Sequence, residues 1–254
     1  AFDSSVCVCV GRACRCPPAA RRPACAVPRR TSDTFYAWRN GTAAAVDVCF
    51  YGDLFRRDPE SPDQPDDATR AGVADMLQET LGDDGLTALE RAAGRATFDR
   101  TGDLVVTMTT QADLRDRVQA RVRDVVGPDT RILVARSLGT IVSYRALCQN
   151  PDWAIDTFVT LGAPLGSPML ADQILEKGDD GLAAWPGSAQ HWVNVASVGD
   201  HACAQPRLAE VFGPRVVDRL VDNGHRAHDP QPYLNNPATG AAVAEALARV
   251  RGGA

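Results

Sequence analysis

At 254 residues, with 44% hydrophobic and 23% charged side chains, the chain can bury a sizeable core in one large α/β domain or two small ones. No apolar run approaches the length that spans a bilayer. The formal net charge of −5 speaks against nucleic acid as the main partner, because phosphate binding needs a concentrated basic face.

The first thirty residues differ from the rest. They hold Cys7, Cys9, Cys14, Cys16 and Cys25, five of the eight cysteines, and six arginines against the single acid Asp3. With −5 overall and +5 here, about −10 is left for residues 31–254. Three readings compete for the segment. Cys7-x-Cys9 and Cys14-x-Cys16 would offer thiolates to zinc, but the usual C-x₂₋₄-C spacing is missing. A disulfide-stapled segment would need an oxidising compartment that nothing else in the sequence supports. The third reading is a poorly folding tail, or an out-of-frame translation. Lys177 is the only lysine, and the arginine and alanine content suggests GC-rich coding DNA, which in a wrong frame yields Arg, Pro, Ala and Cys. Within the segment only residues 5–10 read as a strand. No stretch joins a basic start, an apolar middle and a small-residue cleavage site, so the expected compartment is the cytoplasm. The start at Ala1 rather than methionine leaves a removed leader open.

Residues 43–55 have a β-rich centre, with a strand expected to end near Tyr51-Gly52, and the proline-rich stretch after them reads as a surface loop. From 68 to 96, Val73, Met76, Leu77, Leu81, Leu86 and Leu89 recur at helical spacing, broken at Gly82-Asp-Asp-Gly85. Such a helical pair would form a cap over a site. A helix is expected over 114–126, stopped by Gly127-Pro128. An α/β rhythm follows: strand 131–135, helix 138–149, strand 157–161, then a loop and short helix to about 177. Strands 191–198 and 215–221 and a final helix from about 237 to 250 complete it. Strands separated by helices predict an α/β fold, a mainly parallel sheet with helices on both faces.

At the junction of the first strand and helix of this rhythm stands Ala135-Arg-Ser137-Leu-Gly139, a variant of G-x-S-x-G. That motif has a mechanical basis. A nucleophile held on a sharp strand-to-helix turn needs small residues two before and two after it, so that strand and helix can approach. The same turn puts the Leu138 N–H at a helix N-terminus, where it can stabilise an oxyanion. Val195-Ala-Ser197-Val-Gly199 mimics the pattern, but bulky Val195 occupies the first small position, so Ser197 reads as a structural loop serine.

A nucleophilic serine needs a base, and the base an orienting acid, in this fold in the order Ser, Asp/Glu, His. His191 opens a strand, and His201 adjoins Asp200 on a loop. His225 and His228 lie in "DNGHRAHDPQPYL", between the last strand and the last helix. Asp200 ends "WVNVASVGD" at the C-terminal edge of a strand, where open α/β sheets gather their sites. Its rivals are Asp179 and Asp180 in a loop, and Asp222. Asp229 reads as a capping or turn residue.

Through "ILVARSLGTIVSYRAL", "FVTLGAPLG", "WVNVASVGD" and "VDNGHRAHDPQPYL", the chain from about residue 46 onward resembles bacterial α/β-hydrolases of the lipase/esterase kind. The resemblance implies Ser137 as nucleophile, Asp200 as acid and His228 as base, with His225 the alternative base, because "H-D…Y-L" is the matching part. Two departures stand out. Arg136 replaces the histidine that usually precedes the nucleophile. The family's first strand ends in His-Gly and supplies a second oxyanion N–H; here the only counterpart is "VCVCVGRA", with Gly11 and Arg12 in that place and Gly11 the expected oxyanion residue. The expectation is therefore a serine hydrolase acting on a small-molecule carboxylic ester, without cofactor or metal, of open oligomeric state. The alternatives are an acyltransferase or thioesterase using the same triad, and a hydrolase-like binding protein that has lost turnover.

Overall fold

The computed structural model describes residues 6–11, 45–51, 112–167, 181–187, 189–203 and 205–252. The strands are β1 (Val6–Gly11), β2 (Ala45–Phe50), β3 (Thr130–Arg136), β4 (Thr157–Leu161), β5 (His191–Ser197) and β6 (Val216–Val221). The helices are α1 (Ala112–Val125), α2 (Leu138–Gln149), α3 (Ala209–Phe212), α4 (Pro230–Asn235) and α5 (Pro237–Gly252).

β3 reads Thr-Arg-Ile-Leu-Val-Ala-Arg, and its central residues are buried on both faces, which is why the run is continuously apolar rather than alternating. Leu133 and Ala135 join one core with Val118 and Val122 of α1, Ile141 and Val142 of α2, Phe158 and Trp192. Ile132 and Val134 join the other core with Val159, Val193, Val195 and the Ala242, Val243 and Ala246 face of α5. Helices therefore cover both faces of the sheet. The turn into β3 closes reciprocally: Thr130 N–H donates to the Gly127 carbonyl, and Gly127 N–H to Thr130 Oγ1, each at 3.0 Å.

The sheet order is β2-β1-β3-β4-β5-β6. β3 to β6 are mutually parallel, so the described residues hold a mostly parallel α/β sheet. Strand β1 departs from this. It runs antiparallel to both β2 and β3, with Cys7 opposite Ala135 and Gly11 opposite Thr130.

A buried polar chain crosses three strands. Trp192 Nε1 donates to Thr160 Oγ1 at 3.0 Å, and Thr160 Oγ1 to Asn194 Oδ1 at 2.9 Å. The Asn194 amide in turn donates to Asp218 Oδ1 at 2.8 Å. The Asp218 carboxylate also accepts the Leu208 and Ala209 amides, each at 3.0 Å, at the start of α3.

Helix 138–149 and strand 157–161 lie where the sequence places them, and the other expected strands and helices that the structure describes fall within about two residues of expectation; the short helix expected to end near 177 lies outside the described residues. The helix pair at 68–96 and the cysteines at 14, 16 and 25 lie outside the described residues, so the cap, zinc and disulfide readings do too. The sequence reading passed over α3 and α4. Both are under two turns long, too short for a periodic signal. Four strand ends now point the same way: those before Ser137, Gly162, Asp200 and the His228 loop.

Candidate active site

Ser137 connects β3 to α2 with φ 51° and ψ −131°, the one non-glycine with positive φ among the described residues. For a residue with a Cβ this backbone is costly, on the order of 1–3 kcal/mol, and it persists only where surrounding structure imposes it. Here the imposing contacts are clear. Ser137 N–H donates to the Leu161 carbonyl of β4 at 2.9 Å. The Ser137 carbonyl accepts the Thr140 amide at 2.9 Å and the Thr140 hydroxyl at 2.6 Å. Although Ser137 occupies the N-cap position, its side chain caps nothing. Its Oγ instead lies 3.0 Å from His228 Nε2.

On its other side the His228 ring places Nδ1 2.9 Å from Asp200 Oδ1 and 3.0 Å from Oδ2. A carboxylate only accepts, so Nδ1 carries the proton and Nε2 is left to accept from the serine hydroxyl. Asp200 is held from three further directions. The Ala202 amide donates to Oδ1 at 3.0 Å, Tyr233 Oη to Oδ2 at 2.6 Å, and Cys203 Sγ lies 3.5 Å from Oδ2. Burial alone would push the Asp200 carboxyl up; the hydrogen bond and charge of His228, with the Tyr233 and Ala202 bonds, hold it below the usual carboxylate range. Burial pushes the Cys203 thiol up, reinforced by the Asp200 charge, so it stays neutral.

Arg136, one residue before the serine, reaches the other way and donates through its terminal nitrogen to the His228 carbonyl. Among the described residues its buried Nε has no partner. Burial first, and the Arg136 charge second, lower the His228 pKa, against the opposing pull of Asp200 and Asp229. The imidazole is thus neutral at neutral pH, the form a general base requires. Asp229, directly after His228, caps α4 by accepting the Gln231 amide at 3.0 Å and pairs with Arg226, which steadies the loop carrying the histidine.

The structure brings Ser137, His228 and Asp200 together. Leu138 opens α2, where helix geometry leaves an N–H without an intrahelical acceptor. Gly11 is a correction to the sequence expectation. Because β1 is antiparallel, Gly11 sits beside Thr130, at the opposite end of β3 from Ser137, and its N–H is not delivered to the serine. His225 is not brought in either: it is exposed on the 3₁₀ turn Gly224–Arg226, and the ring beside Ser137 Oγ is that of His228. His191 and His201 are exposed as well. Asp222 accepts the Gly224 amide in a surface turn, while Asp179 and Asp180 lie outside the described residues. Ser197 is structural: its Oγ accepts the Asn223 amide at 3.0 Å. Among the described residues no group of three or more His, Cys, Asp or Glu is placed to hold a metal, and no helix is long and apolar enough to cross a membrane.

Two further residues shape the site without a motif of their own. Asp229-Pro230 is a helix-start signal that places Tyr233 one turn in. Gly162 has φ 57°, and a Cβ there would lie 3.0 Å from Tyr233 Cε2 and 3.1 Å from Asp200 Oδ2. The glycine ending strand "TFVTL" was the signal for that close approach.

Compared with models of known protein families, with curated proteins and with solved structures, the chain finds no match in any of the three.

Proposed function

We propose that the protein is a serine hydrolase of the α/β-hydrolase type that cleaves a carboxylic ester through an acyl-enzyme. The observation carrying this reading is the continuous contact Ser137 Oγ to His228 Nε2 to Asp200, built on a strained turn between β3 and α2. In the proposed reaction Ser137 Oγ attacks the ester carbonyl carbon and its proton passes to His228 Nε2. The carbonyl oxygen becomes an oxyanion facing the Leu138 N–H. The C–O bond to the alcohol then breaks, and the alcohol leaves with the proton from Nε2. Water attacks the acyl carbon while Nε2 takes its proton. The acid departs and Ser137 regains its hydrogen. Asp200 holds the imidazole in the required tautomer and stabilises its transient positive charge. Thioester hydrolysis or acyl transfer would use the same groups, with another sulfur or oxygen in place of the alcohol or water.

The position of Gly11 removes the second donor expected from β1 and so favours one rival, a hydrolase-like binding protein, since losing one oxyanion donor costs on the order of 10²–10³ in rate. A fluorophosphonate probe separates the two. A hydrolase labels at Ser137 and Ser137→Ala does not; folded protein that fails to label, or a labelled Ser137→Ala, overturns the proposal. Esters of graded acyl length, offered with and without competing acceptors, then distinguish hydrolysis from transfer.

A further inference from the structure

We propose that Tyr233 is a positioning residue for the acid of this site: its hydroxyl fixes Asp200, and through it the His228 ring, in the orientation that faces Ser137. The inference rests on the hydrolase reading for its kinetic consequence but not for its geometry. Tyr233 is fully buried, so its hydroxyl must find partners inside the protein. Ser197 N–H donates to that oxygen at 2.8 Å, and an amide cannot accept in return. The phenolic hydrogen therefore has one strong acceptor left, Asp200 Oδ2 at 2.6 Å. The direction of the bond is settled by its neighbours, and the tyrosine acts as a donor to the carboxylate.

The backbone of the tyrosine is equally constrained. Its carbonyl accepts the Thr239 hydroxyl at 2.7 Å and the Asn236 amide at 3.2 Å. Its ring packs in the core beneath β4 and β5 and against the Gly162 backbone. Base and tyrosine lie five residues apart, joined by the Asp229 cap of α4. One short segment thus delivers the imidazole to one carboxylate oxygen and a hydroxyl to the other, while Ser197 N–H ties it to the end of β5. Such bonds to a charged acceptor are the stronger kind and restrict the carboxylate's rotation.

Among the described residues the charged groups acting on His228 are Arg136 from the end of β3, Asp200 after β5, and Asp229 beside it with its partner Arg226, while Cys203 and Tyr233 contact Asp200 Oδ2. Removing the Tyr233 donor leaves the Asp200 charge less dispersed, so the imidazole binds its proton more tightly.

The test is Tyr233→Phe, which keeps the ring and deletes the hydroxyl. His228 titration is followed by imidazole NMR, and fluorophosphonate labelling is measured as a function of pH. The expected result is a folded protein in which the His228 pKa rises and labelling at its plateau falls about tenfold to a hundredfold. An unchanged His228 titration in folded protein overturns the proposal, whatever the labelling rate. Should neither form label, a raised His228 pKa still supports the positioning role while the hydrolase reading falls. If Tyr233→Phe does not fold, 3-fluorotyrosine at 233, a stronger donor of the same shape, lowers the His228 pKa; no movement there overturns the proposal.

Discussion

Strands β3 to β6 and strands β1 and β2 share one sheet, but they are held to their directions by different means. Each of β3 to β6 is parallel to its neighbour, and a parallel pair needs a crossover that returns the chain to the same edge. In the first crossover α2 packs its Ile141 and Val142 on the sheet, and the strand end it leaves behind carries Ser137. Polarity, helix and site position are then one consistent arrangement. β1 makes only antiparallel pairs, to β2 and β3, and an antiparallel partner imposes no such crossover. Its valine and cysteine residues fit a pleat in either direction, and the direction taken carries Gly11 away from the serine. Where chain direction is secured by packing, strand ends become reliable addresses for chemistry; where it is not, a glycine at a strand end means little.

The contrast can be broken or sharpened experimentally. The largest effect belongs to the parallel half: Ser137→Ala reduces any esterase turnover by roughly 10⁴–10⁶-fold while thermal unfolding stays nearly unchanged, and a rate within tenfold of wild type would move the nucleophile elsewhere. Gly162→Ala combines a positive φ with a Cβ pressed against Tyr233 and Asp200. It should cost about 1–3 kcal/mol in urea unfolding and slow probe labelling as well; unchanged stability would contradict the close approach.

Arg136→Gln comes next. Labelling requires neutral His228, and the Arg136 charge helps lower its affinity for a proton. Deleting that charge moves the acid limb of the labelling profile to higher pH, while glutamine keeps a donor for the His228 carbonyl. A limb that stays or moves down would show that the cation does not act on the base. Gly11→Ala has the smallest expected effect, within about twofold in labelling rate; a hundredfold loss would return β1 to the oxyanion site.

The parallel half was legible in the sequence because local signals agreed there. The apolar run of β3, the small residues flanking Ser137 and the Gly127-Pro128 stop all mark the same boundaries. The carboxylate and imidazole were legible because Asp200 and His228 follow strand ends, which share one edge in a parallel sheet. Choosing His228 over His225 needed more than position, since both lie in one loop. The structure separates them through the Asp229 cap, which Asp229-Pro230 signals, and through the Arg136 contact with the His228 carbonyl, which leaves no spacing pattern. β1 was read correctly as a strand, but period-two alternation carries no arrow, so its polarity and the fate of Gly11 could not be read. Tyr233 was hidden for a related reason: its role depends on meeting Ser197 and Asp200, both more than thirty residues away in the chain.

The polar chain from Trp192 through Thr160 and Asn194 to Asp218 has a consequence for how the site is kept. Valines and leucines would tolerate a neighbouring strand slid along by two positions, since the same face would still meet the core. An amide caught between a hydroxyl and a carboxylate would not, because any slide strands several buried dipoles at once. That chain therefore works as a ruler across β4, β5 and β6, and keeps the loops after β5 and β6, which carry Asp200 and His228, at a common height.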